Sequence, residues 1–511
     1  MNTTRDKIRE IAIESGIKNI GYIDNRPSFG DYAIIIKPSK EKIENLAEKI
    51  KSNKKAKQIF EKIETAPPVF INLYLKEEYL QNRIKDILKE KEITKKQKEK
   101  KKIQIEFISA NPTGLLTLGN GRGAFTGDVL ANILSRSGHK VQREFYINDA
   151  KNSKQIKTLG ETALNKGTTY LTPYLKEKIK KTKIKTEDPG EAGYLLSKEI
   201  IKDIKKNTEK EFKIKFDNWF SEQDNIIQKN KHKKVYQKLK KYIYKKEKAE
   251  WLKTSKYGAE KDFVLVRDTG EPTYFLPDIA YHYNKFKERK FDKVIDIWGA
   301  DHHGYIKRMK AAMEMLGIKK ERLDIIIMQL VRLVKDGKEI KMSKRKGEYI
   351  LLTDLIKEVG IDVARFFFLM HSNTRHMDFD LKLAKEKSQK NPVYYVQYAY
   401  ARINSILKNA KNTKNKTKTL SKLTHKAELD LIKELIKLPE IIEDTANDYQ
   451  VQRLPQYSQS LATAFHKFYD QCKVLDKKRE KQDARLTLIN ATQLILENTL
   501  EIMGISQPKK M

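Results

Sequence analysis

Two short segments carry the side chains of phosphate chemistry. In "TLGNGRGAFTGD" (117–128), Thr117 and Asn120 stand three residues apart at the head of a glycine-containing turn that opens a helix. A helix N-terminus directs free backbone N–H groups at an anion. A hydroxyl and an amide three residues apart share one helix face and can add hydrogen bonds to the same phosphate. In "KMSKRKG" (341–347), Lys341 and Lys344 bracket Met342 and Ser343. Placed opposite the helix N-terminus, that turn suits a pentavalent α-phosphate and a departing pyrophosphate. Each segment has a plain alternative. "KMSKRKG" alone is an ordinary solvated basic turn. Gly119, Gly121 and Ala124 also satisfy G-x-G-x-x-G/A, with Glu144 as the acid; this weak match would suit a nicotinamide-dependent oxidoreductase. No G-x-x-x-x-G-K-[ST] occurs, which excludes a P-loop.

Strands must hold these turns. "IQIEFIS" (103–109) reads as a strand, "RGAFTGDVLANILSRSG" as a helix stopped at Gly138, and "KVQREFYI" (140–147) as a second strand. That is a right-handed βαβ unit. Further strands are expected at "KVIDIWG" (293–299) and "DIIIMQLVRLV" (324–334), and a Lys-rich, mainly helical insertion over roughly 155–260, containing "KFDNWFSEQ". An open parallel sheet of this kind binds ligand at the carboxyl ends of its strands. Before residue 100, helical patterns ("KEKIENLAEKIKSNKKAKQIFEKI") mix with the β runs "YAIIIK" and "VFINLYL". The charged run "KEITKKQKEKKK" (91–102) reads as a solvated helix end or linker. From 386 onward, apolar residues recur at i, i+3 and i+4 as in a helix bundle. Three domains are expected: 1–100, small and α/β; 101–385, α/β with the insertion; and 386–511, all-α.

Composition narrows the partners. Lys and Arg number 105 against 68 Asp and Glu, a formal net charge of +37 over 511 residues. A Lys-, Ile- and Asn-rich vocabulary explains part of this, and a polyanion such as RNA is the functional explanation. No stretch approaches eighteen uninterrupted apolar residues, and no signal-peptide pattern opens the chain, so no membrane association and a cytoplasmic location are expected. The single cysteine, Cys472, excludes an internal disulfide and a thiolate zinc cluster. Adjacent His302 and His303 lack the spaced partners of a metal shell, so no metal site is expected.

At this point a resemblance becomes specific. "TLGN" and "KMSKR" resemble the HIGH and KMSKS signatures of class I aminoacyl-tRNA synthetases. "EFISANPTG", "REFYINDA", "YFLPDIAYH", "WGADHHGYIKRMKAAM", "NPVYYVQYAYARI" and the closing "MGISQPKKM" are similar to running text of the arginyl-tRNA synthetase family. "FGDYA" near the start is similar to that family's N-terminal tRNA-binding domain. The resemblance spans essentially the whole chain in order. One departure stands out: the family carries histidines where this chain has Thr117 and Asn120. Tryptophanyl-type enzymes use a similar Thr-Ile-Gly-Asn version. The change is expected to be tolerated; an RNA-binding relative without activity is the alternative.

The resemblance implies a Rossmann-like catalytic domain with a helical insertion, a small N-terminal α/β domain and a C-terminal anticodon-binding bundle. It implies ATP, with Mg²⁺ carried on it, L-arginine and tRNA(Arg), a monomer, and adenylate formation only with tRNA bound. For ATP it implies Asn111, Pro112, Thr113, Gly114, Thr117, Gly119, Asn120, Gly299, Asp301, Lys341, Met342, Ser343 and Lys344. Of these, Thr117, Asn120, Lys341 and Lys344 are catalytic. For arginine it implies Glu106, Asn111, Tyr274 and Asp278. The four-residue spacing of Tyr274 and Asp278 places them on one face of a helical turn. Tyr394, Tyr395, Tyr398 and Tyr400 are core or base-stacking residues, and "DARL" (483–486) is part of the anticodon domain or a plain buried helix.

Overall fold

The computed structural model describes the chain except residues 1, 26, 39–40, 91, 98, 303, 341–349 and 411–414. It divides into two units, one of residues 1–97 with 387–511 and the other of 98–386.

In the first unit, strands β1 (Ile20–Asp24), β2 (Tyr32–Ile36), β3 (Phe60–Ala66) and β4 (Phe70–Leu75) form an antiparallel sheet in the order β1-β2-β4-β3. The terminal blocks share one interior, which the sequence did not show. Glu440, fully buried on the helix Leu438–Asp448, accepts from Arg5 N (2.8 Å), Asn25 Nδ2 (2.7 Å) and Tyr32 Oη (3.2 Å). Arg5 closes on Asp444 with two bonds of 2.5 and 2.9 Å. A buried carboxylate is tolerated only when bonded in this way. The charged run after residue 90 joins the same interior: Ile93 is fully buried, its N–H donating to Asn498 Oδ1 (3.2 Å), and Lys95 pairs with Asp6 and Glu443. It is therefore more than a solvated linker.

The second unit is built on five parallel strands: β5 (Lys102–Glu106), β6 (Lys140–Ile147), β7 (Asn218–Ser221), then β11 (Lys293–Gly299) and β12 (Leu323–Met328), in the order β12-β11-β5-β6-β7. The order reverses between β5 and β11, so the crevice outside their carboxyl ends is the binding position. Strands β8 (Ile243–Lys246), β9 (Ala249–Leu252) and β10 (Phe263–Val266) make a separate antiparallel sheet. Two expectations change. "KFDNWFSEQ" does not lie in a helical insertion: it holds β7, the edge strand of the parallel sheet, paired with β6 and anchored by Trp219, which stacks on Phe145 and meets Phe216 edge-on. "DIIIMQLVRLV" is two strands, β12 and β13 (Val331–Lys335), in different sheets; Gln329 N donates to Asn373 O and Met377 N to Leu330 O where the chain crosses. β13 pairs with β14 (Lys338–Glu339) and β15 (Met377–Asp380).

Candidate active site

The carboxyl end of β5 leaves regular geometry. Ile108 and Ser109 have left-handed φ values of 70° and 39°, costly for a β-branched residue. β6 holds the turn in place, with Tyr146 N donating to Ser109 Oγ (3.0 Å) and Asn148 Nδ2 to Ser109 O (3.3 Å). Strain over-determined by its surroundings clusters where ligands bind. The chain continues through Asn111, exposed, then Pro112, Thr113 and Gly114, and enters the helix Leu118–Arg136 with Thr117 as its N-cap.

Thr117 and Asn120 lie together, with different tasks. Thr117 N and Thr117 Oγ1 both donate to Asn120 Oδ1, at 2.9 and 3.2 Å. The threonine's proton is thus used on the asparagine, and the Asn120 NH₂ is the group left to donate outward. Gly121 is a packing residue: a Cβ there would stand 2.8 Å from Phe368 Cζ and 2.9 Å from Leu352 Cδ1. Leu118 N donates to Ile350 O (2.9 Å) and Leu352 N to Leu116 O (3.0 Å), so the corner grips the chain immediately beyond residue 349. Lys341, Met342, Ser343 and Lys344 themselves lie outside the described residues. Across the crevice, Gly299 ends β11 and exposed Asp301 follows. A Cβ on Gly299 would meet Asp301 Oδ1 at 2.8 Å, so the bare backbone lets that carboxylate fold back. His302 lies 3.7 Å from Asp301, and His303 is outside the described residues. Among the described residues, no three His, Cys, Asp or Glu side chains gather as a metal shell.

Four acids reach the same end of the sheet. Glu106 closes β5, Asp149 follows β6, Glu222 follows β7, and Asp278 comes from the helix Phe275–Tyr283. Glu106 is buried, its Oε2 accepting from Tyr281 Oη (2.9 Å) and Lys285 Nζ (2.7 Å). Asp278 accepts from Tyr305 Oη at 2.6 Å, and the Tyr305 ring stacks on exposed Tyr274, centroids 5.9 Å apart. Asp278 N also donates to Tyr274 O (3.3 Å), so Tyr305 and the helix backbone bring the expected pair together. Asp149 accepts from Ser221 Oγ (2.7 Å) and Gln223 N (2.9 Å).

Glu222 has no cationic partner among the described residues. Burial, then the Asp278 and Asp149 charges, push its carboxyl up to about 8. Burial likewise holds Asp278 and Asp149 above the usual carboxylate range. Tyr146 Oη, buried, faces Glu222 and Asp278 and interacts with the Glu222 carboxyl. Buried carboxyls crowded so that each resists ionisation make a site for a cation, and a guanidinium with five donors matches several of them at once. Sequence reasoning missed Asp149 and Glu222. Each falls one or two residues past a strand end, inside stretches already singled out, and that placement was the available signal.

In the first unit, Tyr400 is core, bonded to Glu497 (2.5 Å), while Tyr394, Tyr395 and Tyr398 are half-buried. Arg402 lies over the rings of Tyr398 (4.9 Å) and Tyr469 (4.7 Å) in a cleft of about 820 Å³ that also reaches Lys473, Lys510 and Met511. "DARL" is structural: Arg485 is buried and donates to Glu428 Oε1 (2.6 Å) and Lys473 O (2.7 Å), and Asp483 pairs with Lys416. Phe29 of "FGDYA" is 69% exposed, an aromatic surface available to a partner, whereas Tyr32 is buried.

Comparison with known proteins gives the family. Residues 4–75 match the arginyl tRNA synthetase N terminal domain, 172–405 the catalytic domain of class I tRNA synthetases (R), and 396–511 the DALR anticodon binding domain. The chain is 43% identical over 492 residues to an arginine–tRNA ligase of Carboxydothermus hydrogenoformans, covering 89% of this chain and 86% of that protein. It is 40% identical over 521 residues to that of Staphylococcus carnosus, covering 96% and 94%. The crystal structure of arginyl-tRNA synthetase from Plasmodium falciparum shares the fold across 100% of both chains, with TM-score 0.80 at 18% identity. With the three domains in order and this identity along most of its length, the chain belongs to the arginine–tRNA ligase family, the arginyl-tRNA synthetases of class I.

Proposed function

We propose that the crevice at the β5–β11 reversal activates L-arginine with ATP and passes it to tRNA(Arg), with the acid cleft as the arginine site. The single observation that supports the arginine site best is a set of crowded carboxyls, Glu222, Asp278 and Asp149, beside the buried Tyr146 hydroxyl, with Glu222 lacking a cationic partner among the described residues. Asp278 and Glu222 take the guanidinium, with Tyr274 over it. Glu106 Oε1 and Asn111 take the α-ammonium end. The substrate's carboxylate oxygen then attacks the α-phosphorus. As that bond forms, the bond to the bridging oxygen breaks and pyrophosphate leaves with the electron pair. Asn120 donates to the developing charge, Thr117 orients Asn120, and Lys341 and Lys344 neutralise the leaving group. In the second step a hydroxyl of the terminal tRNA adenosine attacks the arginyl carbonyl, losing its proton, and AMP departs.

No covalent enzyme intermediate is required; rate comes from placement and charge stabilisation. ATP binds through Asn111 to Gly114, Gly119, Gly299, Asp301 and the Lys341–Lys344 turn, with Met342 and Ser343. Mg²⁺ arrives on its phosphates, as befits an ion that keeps most of its own water. In the C-terminal bundle, the Tyr398–Arg402–Tyr469 cleft takes an unpaired nucleobase, since stacking rings beside a guanidinium read single strands. The protein acts as a cytoplasmic monomer; no described helix is long and apolar enough to cross a membrane, and its one cysteine is buried and free.

The test is ATP–pyrophosphate exchange with arginine, with and without tRNA. Exchange only when tRNA is present is the expected result. Asp278→Ala should lose arginine binding by several kcal/mol, because a buried guanidinium loses one of its two carboxylate partners. An unchanged arginine KM would remove Asp278 from the site.

A further inference from the structure

Glu106 and Asp296 are register partners on adjacent parallel strands β5 and β11, side by side next to the binding crevice. Both are buried. Two like charges so placed repel, and a carboxylate pair in one dry site shares a proton unless a cation intervenes. The cation is the chain's own. Lys285, fully buried, puts Nζ 2.7 Å from Glu106 Oε2 and 2.8 Å from Asp296 Oδ1, and 4.2 Å over the Tyr281 ring.

We propose that Lys285 is a positioning residue for arginine: by neutralising Glu106 and Asp296 together, it keeps Glu106 ionised and turned so that its other oxygen meets the substrate's α-ammonium. The proposal rests on the arginine site assigned above. The other groups facing Lys285 are Tyr281 and His282 on the preceding helix, Glu144 on β6, and Arg289 just beyond its own turn. His282 Nε2 lies 2.7 Å from Asp296 Oδ2, while Arg289 and Tyr281 bond Glu144. These contacts already occupy Asp296 and Glu144, so Lys285 is the cation that reaches Glu106. Burial opposes the Lys285 charge, and Asp296 and Glu106 outweigh it, holding the ammonium above its ordinary value; burial and the Asp296 charge in turn hold the Glu106 carboxyl above the usual range, with Lys285 the main force pulling it down. Buried lysines can be replaced by apolar residues with little loss of stability when their partner acids go too, so stability alone does not call for these three charges beside the crevice, and a role in binding accounts for them.

The experiment measures aminoacylation kcat and arginine KM in the full chain with saturating tRNA(Arg) and ATP, from pH 6 to 9. In Lys285→Met the two acids share a proton. Arginine kcat/KM should fall at least tenfold at pH 7 and recover as pH rises, since the proton must leave before Glu106 can hold an ammonium. Adding Asp296→Asn removes the competing acid; the double variant should regain most of the loss and lose the pH dependence. Failure of Lys285→Met to fold, with a folded and active double variant, supports the same charge balance. A Lys285→Met enzyme with wild-type kinetics at every pH overturns the proposal, as does a double variant no better than the single one. Asp278→Asn keeps the two questions apart: an unchanged arginine KM there sinks the arginine site, whereas Lys285 stands or falls on the double variant and the pH profile.

Discussion

Arginine should bind with release of a proton, and Glu222 is its source. The carboxyl is pushed up to about 8 by burial and by the Asp278 and Asp149 charges, so at pH 7 roughly one molecule in ten has it ionised. If the guanidinium binds only the ionised form, the apparent dissociation constant is the intrinsic one divided by that fraction, about tenfold weaker at pH 7 than at high pH. Affinity should then rise nearly tenfold from pH 6 to 7 and level off above 8. Each arginine bound at pH 7 should expel close to one proton. Titration calorimetry in two buffers of different ionisation enthalpy reads the proton directly. Stability runs the opposite way. Glu222 has its ordinary value near 4.5 when unfolded, so between about 4.5 and 8 the folded state holds the extra proton and stability falls as pH rises. Glu222→Gln should therefore raise the melting temperature of the arginine-free protein at pH 8, while weakening arginine and flattening its pH dependence. Binding enthalpies independent of buffer, with an arginine affinity constant from pH 6 to 8, would refute the reasoning.

At the phosphate corner, Asn120→Ala removes the outward donor and should cost about 10²–10³ in kcat of adenylate formation, with KM for ATP little changed. Thr117→Ala leaves one of the two bonds to Asn120 Oδ1 and should cost nearer tenfold, about 1.4 kcal/mol; equal losses in pre-steady-state assays would contradict the division of tasks. Lys344→Ala should lose at least as much as Asn120→Ala; wild-type adenylate rates in Thr117→Ala and Asn120→Ala alone would reduce "TLGN" to a turn. For RNA, Tyr398→Ala and Arg402→Ala should weaken tRNA without changing arginine KM, and log K should fall steeply with log salt. Deleting 391–511 is a poor test, since it would strip the partners of Arg5, Asn25 and Tyr32; retained tRNA affinity in the point variants would move the base site elsewhere.

What the sequence determined by itself was whatever depends on local pattern. The β5–helix–β6 unit, the helical C-terminal block and the Thr117–Asn120 pairing follow from periodicity and from three-residue spacing on a helix face, and family text in order fixed the activity. Tertiary structure decided what depends on residues far apart in the chain. β7 hides in a helical-looking insertion because its pairing partner, β6, ends seventy-odd positions earlier, and strand pairing is a non-local choice. Asp149 and Glu222 come together with Asp278 only when β6 and β7 lie side by side and the helix Phe275–Tyr283 crosses them, which is what the proposed arginine site requires. Glu106, legible as an acid at a strand end, acquired its constraint from Lys285, 179 residues away. Spacing along a helix or strand is set by backbone geometry, which the sequence carries. The charge around a carboxylate is set by which distant groups share its desolvated space, and only the folded chain brings those together.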